Sequence, residues 1–372
     1  METLILSVND IRKIVQKVGL DMLMDQTIAR LSKTFQQFDH NKTTIPPREG
    51  FSYENSHTGL IEWMPLLHQQ ERVIIKVVGY HPNNPQNRQL PTILSTVSAY
   101  DATSGHLMGL MDATFLTALR TGAASAVASQ LMAKPHSKIL GIIGCGAQAV
   151  TQLHALTRIF DFEQVLIYDT DPMISNSFAQ RVACLNLKNV EIQVTPLAPL
   201  VALADVLCTA TSVKVGEGPV FQDKSLKPWI HINAIGSDFS GKIEIPKSVL
   251  QSSFVCPDFR TQALKEGECQ QLEPQDIQLE LYQLIKQEEQ YRYIRYEKTV
   301  FDSTGWALED QVVMNIFFDY AKELGAGTLV QLESISADTR NPYDFSIPSA
   351  INKGVSKIDL SVNSIYSNRQ AS

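Results

Sequence analysis

The sequence is short of several things, and each shortage removes a class of protein. Its 372 residues hold five cysteines, Cys145, Cys184, Cys208, Cys256 and Cys269. Their number is odd, their spacing is irregular and no C-x-x-C occurs, which argues against a disulfide framework and a zinc site and favours free thiols in a reducing compartment. No basic run is present and the net charge is −7, so neither nucleic acid nor an anionic membrane surface is an expected partner. No apolar run approaches the ~18 residues of a membrane span, and METLILSVNDIRKIV is too polar for a signal peptide. A cytoplasmic protein is expected. Repeats and low-complexity segments are absent. What remains is an ordinary globular balance, 44% apolar and 19% charged, long enough for two domains with real cores.

The most informative stretch is Lys138 to Ala149, KILGIIGCGAQA. An apolar run suited to a strand buried on both faces meets the turn Gly144-Cys145-Gly146-Ala147-Gln148-Ala149, and a helical pattern follows. A second apolar run, Gln164 to Tyr168, ends at Asp169, 25 positions after Gly144. The chemistry of each part is specific. Gly144 permits the tight turn, Gly146 lets the backbone approach a pyrophosphate, and the helix N-terminus offers free N–H groups to that anion. A carboxylate at Asp169 accepts ribose hydroxyls and repels a 2′-phosphate. The expected cofactor is therefore NAD, with no metal. Cys145 reads as a small residue in the variable slot of the turn.

Before this turn the pattern predicts a strand at Leu4–Val8, a helix capped by Asn9 or Asp10, and a helix over Asp21–Phe38. Strands at Gly59–Met64, Val73–Val78, Thr92–Tyr100 and Leu107–Met111 follow. A helix capped by Asp112 or Thr114 then runs through Ala133, its small residues implying close packing. Beyond the turn, strands alternate with helices at 139–143, 164–168, 190–194, 205–209, 230–235 and 253–257, with another at Thr299–Asp302. That rhythm predicts a doubly wound parallel sheet. A helix over Leu308–Leu324 is stopped by Gly325 and Gly327.

Ligands of such sheets bind beyond the carboxyl ends of the strands. There the sequence offers Thr209 among small hydroxyl residues, and then Gly236, Asp238 and Lys242. Asp238 reads equally well as a turn residue or a proton carrier. Upstream, Arg48 follows two prolines, while Glu62 and Lys76 interrupt apolar strands, as a charge facing solvent also would. Arg120 lies in a helix of small residues. Arg48, Lys76 and Arg120 suit a carboxylate if they converge.

From about residue 4 to 345 the chain resembles the ornithine cyclodeaminase/μ-crystallin family. The resemblance is carried by Pro47-Arg48, Ile61-Glu62-Trp63-Met64-Pro65, Lys76 with Gly79-Tyr80-His81-Pro82-Asn83-Asn84, and Leu90-Pro91-Thr92. It continues in Leu116-Thr117-Ala118-Leu119-Arg120-Thr121, the glycine turn, Ala234-Ile235-Gly236-Ser237-Asp238, and Val300 to Asp310. The resemblance implies an α/β fold in which a doubly wound parallel (Rossmann) NAD-binding domain, 125–305, is inserted in an α+β substrate-binding and dimerisation domain, 1–124 plus 306–353. A flexible tail, 354–372, is expected to follow. It implies a homodimer and a site in which Arg48, Lys76 and Arg120 hold a substrate α-carboxylate, Thr92 lines the pocket, Glu62 meets a distal amine and Asp238 is the catalytic acid/base. Thr121, Gly146, Ala147, Gln148, Asp169, Gly236, Lys242 and Ser303 would touch NAD.

The implied reaction uses NAD without net redox change: hydride leaves Cα of ornithine, ammonia is lost as the ring closes, and hydride returns to give proline. The family also contains amino-acid dehydrogenases and ketimine reductases, and a non-enzymatic ligand-binding role is a third reading. Ser237 and Phe239-Ser240, around Asp238, and the stretch Gln270–Lys298 depart from the family pattern.

Overall fold

The computed structural model describes residues 1–53, 59–187 and 190–346. Thr3–Val330 form one compact unit. By itself, the segment after it carries a short 3₁₀ turn at Asp344–Ser346, with the Asp338 amide donating to the Asp344 carboxylate at 3.0 Å. The expected tail at 354–372 lies outside the described residues.

Two sheets organise Thr3–Val330. The first contains β1 (Thr3–Leu6), β2 (Thr43–Thr44), β3 (Glu49–Tyr53), β4 (Gly59–His68), β5 (Arg72–Tyr80), β6 (Ile93–Asp101), β7 (Leu107–Asp112) and, much later, β15 (Thr328–Val330). Its order is β15-β1-β7-β6-β5-β4-β2, with β3 also paired to β4. The sheet is antiparallel except where β1 runs parallel to β7. Thr3 pairs with Val330, so β1 is closed on its other side by β15.

The second sheet contains β8 (Ile139–Ile143), β9 (Gln164–Tyr168), β10 (Glu191–Val194), β11 (Val206–Thr209), β12 (His231–Ala234), β13 (Phe254–Pro257) and β14 (Thr299–Asp302). It is wholly parallel, in the order β10-β9-β8-β11-β12-β14-β13. The chain leaves β8 toward β9 on one side and later returns to β11 on the other. That switch of direction opens a crevice at the carboxyl ends of β8 and β11.

Helix ends follow local chemistry. The first helix, Val8–Val18, is capped by Ser7 rather than by Asn9 or Asp10; Asp10 instead completes a capping box as its third residue. The helix Thr114–Met132 starts after Ala113 with no side-chain cap on its first turn, although the Asp112 carboxylate accepts from the Thr114 amide at 3.3 Å. Its middle is buried all round. A Cβ on Gly122 would lie 2.4 Å from the Thr151 carbonyl oxygen, so glycine is what lets this helix meet the helix Ala147–Thr157. The stretch Gln270–Lys298 folds into short helices that bury Leu281, Tyr282, Leu284 and Ile294 in the main core. Tyr282, Phe38 and Phe259 surround Trp306. Among the described residues no helix is long and apolar enough to cross a membrane.

Candidate active site

The nucleotide-binding features stand where the parallel sheet changes direction. Gly144 has φ +89°, and a Cβ there would lie 2.6 Å from the Ala210 carbonyl oxygen. Gly146 is the opposite case: a Cβ there would meet nothing within 4 Å. It opens the helix Ala147–Thr157, whose first turn has no side-chain cap. Exposed, unpaired N–H groups therefore face open space, the arrangement a pyrophosphate requires. Asp169 follows β9 at the rim. Its Oδ2 accepts from the Cys145 amide at 2.8 Å and its Oδ1 from the Asp171 amide at 2.9 Å. These two bonds aim the carboxylate across the glycine turn and leave further lone pairs on both oxygens. Burial, together with the charge of Asp169, pushes the Cys145 thiol up to about 12, so Cys145 is no nucleophile.

The hydroxyl of Thr209, a residue expected beside a ribose, is committed to a carboxylate. It is buried and donates to Glu244 at 2.7 Å. Glu244 also accepts from the Thr211 amide and hydroxyl, each at 2.7 Å, and from the Gly236 amide at 2.8 Å. One buried carboxylate thus ties the ends of β11 and β12 together. Burial raises its pKa against those four hydrogen bonds.

The cations gather around a cavity between the first sheet and the loops after β12 and β14. Alternation along β5 buries Ile74, Lys76 and Val78 on one face. On β4, Met64 pairs with Lys76 and Glu62 with Val78, so Glu62 joins the same face. Arg48, Glu62, Lys76, Arg120 and Asp238 all line the cavity, as do Thr121, Gln148 and Ser303. Thr92 is not among the lining residues; its neighbour Ile93 is. Phe239 is also in the wall, where the sequence departs from the family pattern.

Every cation here has an anionic partner. Lys76 Nζ lies 3.0 and 2.8 Å from the two carboxylate oxygens of Asp310. Arg120 donates from Nε to Asp310 at 3.2 Å and from Nη1 to Glu309 at 2.9 Å. Arg48 pairs with Glu266, donates to the carbonyls of Asp238 (2.9 Å) and Thr304 (3.1 Å), and brings Nε within 3.6 Å of Glu62. Lys242 Nζ lies 2.6 Å from Asp238 Oδ1 and 5.4 Å from the centre of the Tyr80 ring. Burial takes Lys76 down to about 8, opposed chiefly by Asp310. Burial raises Glu62, opposed by Arg48 and reinforced by Asp238. Glu309 is pushed up to about 8 by burial, against the pull of Arg120.

The loop after β14 is held from below. Asp258 accepts from the Gly305 amide at 2.7 Å and the Thr304 hydroxyl at 3.0 Å. Glu244, Asp258, Glu309 and Asp310 were not singled out as site residues from sequence. Glu309-Asp310 had a readable signal: two adjacent acids opening a largely apolar helix. Asp258 and Glu244 had none.

Residues 8–325 match the Ornithine cyclodeaminase/mu-crystallin family. The chain belongs to that family. Over 344 residues it is 42% identical to the L-lysine cyclodeaminase of Streptomyces rapamycinicus, covering 92% of this chain and 99% of the relative. A solved lysine cyclodeaminase, whose structure addresses recognition of L-lysine, L-ornithine and L-2,4-diaminobutyric acid, superposes with a TM-score of 0.89 at 43% identity, over 93% of this chain and 100% of its own. An archaeal alanine dehydrogenase dimer with bound NAD superposes with a TM-score of 0.79 at 29% identity, over 90% of this chain and 100% of that one. Family members thus include both cyclodeaminases and an NAD-dependent oxidoreductase. Membership alone leaves the reaction open.

Proposed function

We propose that this family member is an NAD-dependent cyclodeaminase acting on a linear diamino acid, L-ornithine or L-lysine, and releasing ammonia with L-proline or its six-membered homologue. The observation that carries the reading is Glu62, a half-buried carboxylate facing the same cavity as Arg48, Lys76 and Arg120. A monoamino acid such as alanine has an α-carboxylate for the cations but nothing to offer Glu62. A diamino acid has a distal ammonium.

The open N-terminus at Gly146, Ala147 and Gln148, and the carboxylate of Asp169, suit NAD. Bound NAD would supply a hydride acceptor at Cα and return the hydride after ring closure. The chain's residues do the rest. Lys76, Arg120 and Arg48 bind the α-carboxylate and so orient Cα. Asp238 takes and returns protons at the α-nitrogen, and Lys242 holds its carboxylate in place. Thr121, Ser303, Gly236 and Lys242 border the nicotinamide end, and Gly144 shapes the turn.

A homodimer fits the outer face of the first sheet. Phe51, Ile61 and Leu94 lie in register across β3, β4 and β6, with Val77 nearby on β5. They are 70%, 43%, 43% and 39% exposed, an apolar patch of the kind that associates.

The test is incubation of purified protein with NAD and a panel of amino acids, following ammonia and NADH together. Ammonia from ornithine or lysine without accumulating NADH is the expected result. Ammonia with equal NADH would make the protein an amino-acid dehydrogenase.

A further inference from the structure

The helix Ala307–Leu324 opens with two acids in its first turn, Glu309 and Asp310. Acids at that position ordinarily sit exposed, opposite the helix dipole. Here both are buried. Asp310 spans two elements that make no strand pairing with each other. Its Oδ1 accepts from Lys76 on β5 at 3.0 Å and from Arg120 on the helix Thr114–Met132 at 3.2 Å. Glu309 touches Arg120 and not Lys76. On its far side Arg120 is closed in by Gly305, where a Cβ would lie 2.8 Å from Nη2.

A donor count shows what is left for a ligand. An ammonium has three N–H donors and a guanidinium five. Asp310 takes at most two from Lys76 and the Nε donor from Arg120, and Glu309 takes one from Nη1. At least one donor on Lys76 and three on Arg120 stay available. A carboxylate can therefore bind both cations without displacing Asp310.

We propose that Asp310 is the positioning residue of the carboxylate clamp, fixing Lys76 and Arg120 at one spacing and keeping Lys76 charged. This rests on the reading of those two cations as carboxylate ligands. The charged groups facing Lys76 are Asp310, Arg120 and Arg48, with Glu62 across β4. Asp310 gives the largest opposition to the burial that would discharge Lys76. The contrary view makes Asp310 a competitor that substrate must displace. The two views predict effects of opposite sign.

The experiment compares wild type, Asp310→Asn and Glu309→Gln, loaded with NAD. It measures calorimetric binding of L-ornithine and L-lysine, and kcat/KM from about pH 6 to 10. Asp310→Asn is expected to raise Kd and KM about 10-fold or more and to move the alkaline fall of kcat/KM to lower pH. Glu309→Gln removes the charge that Glu309 gains on the alkaline side and is expected to make that fall shallower without moving it to lower pH. Binding by Asp310→Asn as tight as wild type or tighter, with the fall unmoved, overturns the proposal. If Asp310→Asn does not fold, Asp310→Glu keeps the charge and changes the reach. It should keep the pH profile and still weaken binding, and wild-type binding by that variant overturns the proposal equally. Wild type that binds the amino acids but releases no ammonia would instead overturn the cyclodeaminase reading and leave the clamp standing.

Discussion

The Lys242 ammonium lies 2.6 Å from the Asp238 carboxylate, four residues apart in the loop after β12, with the lysine side chain buried and the aspartate partly exposed. Burial works against the Lys242 charge, but Asp238, Tyr80 and Glu244 together outweigh it and raise the lysine's pKa. The pair holds one carboxylate at the cavity wall, beside Arg48 and Glu62. Asp238→Asn keeps the shape and removes the proton acceptor. Turnover should fall by about 100-fold or more while NAD still binds. Activity within a few-fold of wild type, measured by ammonia release, would falsify the assigned role.

Asp169 is the residue expected to set the cofactor preference. Its carboxylate stands at the rim of the glycine turn, held by the amides of Cys145 and Asp171. Wild type should bind NAD much more tightly than NADP. Asp169→Ser should weaken NAD by about 10-fold or more and narrow the gap to NADP. Nucleotide titration followed by tryptophan fluorescence reads both, and equal wild-type affinity for the two cofactors contradicts the reading.

The pH dependence follows from two buried groups. Lys76 titrates at about 8 and is an ammonium only below that. Glu309, beside Arg120, also titrates at about 8 and gains its negative charge above it. Both changes oppose an incoming carboxylate, so affinity for the amino acid should fall as pH rises through about 8. Calorimetric titrations on either side of that pH provide the check. Affinity that holds constant to about pH 10 would show Lys76 charged throughout.

Gly122 reverses a familiar rule. Replacing glycine by alanine within a helix usually stabilises it by up to about 1 kcal/mol. At Gly122 the added methyl would lie 2.4 Å from the Thr151 carbonyl oxygen. Gly122→Ala should therefore destabilise by about 1–3 kcal/mol, seen as a lower Tm. A higher Tm would mean that the two helices can part without cost.

The outer face of the first sheet is the proposed dimer interface. Val77→Lys places a charge among Phe51, Ile61 and Leu94 without touching the cavity, because its neighbours Lys76 and Val78 face the other way. Sedimentation should give a dimer for wild type and a monomer for the variant. A monomeric wild type would show that this face serves some other purpose.

The central sheet was readable because β8, β9 and β14 are short apolar runs buried on both faces, and their limits match the sequence reading residue for residue. Strand β3 was missed for the opposite reason: Glu49–Ser52 are all exposed, so no alternation marks it. Lys76 could not be placed from alternation, because apolar residues occupy both faces of β5, Ile74 and Val78 on one and Ile75 and Val77 on the other. Nor could the acids that hold the cations. Glu266, Glu309 and Asp310 lie far from Arg48, Lys76 and Arg120 in sequence, and a buried acid in a helix looks the same as an exposed one until its partner arrives. Ser7 falls inside the strand expected at Leu4–Val8; the strand instead ends at Leu6, and Ser7 caps the helix through its reciprocal bonds with Asp10.

The pairing of Thr3 with Val330 bears on how the chain assembles itself. Strands β8 to β14 arise from one uninterrupted stretch and can pair with one another as soon as it is made. β1 has no such freedom: it pairs on one side with β7, but its other edge waits for β15, at the far end of Thr3–Val330. The ends of Thr3–Val330 also leave the sheet side by side. Joining them and reopening the chain at the exposed turn around Thr103 would preserve every strand pairing.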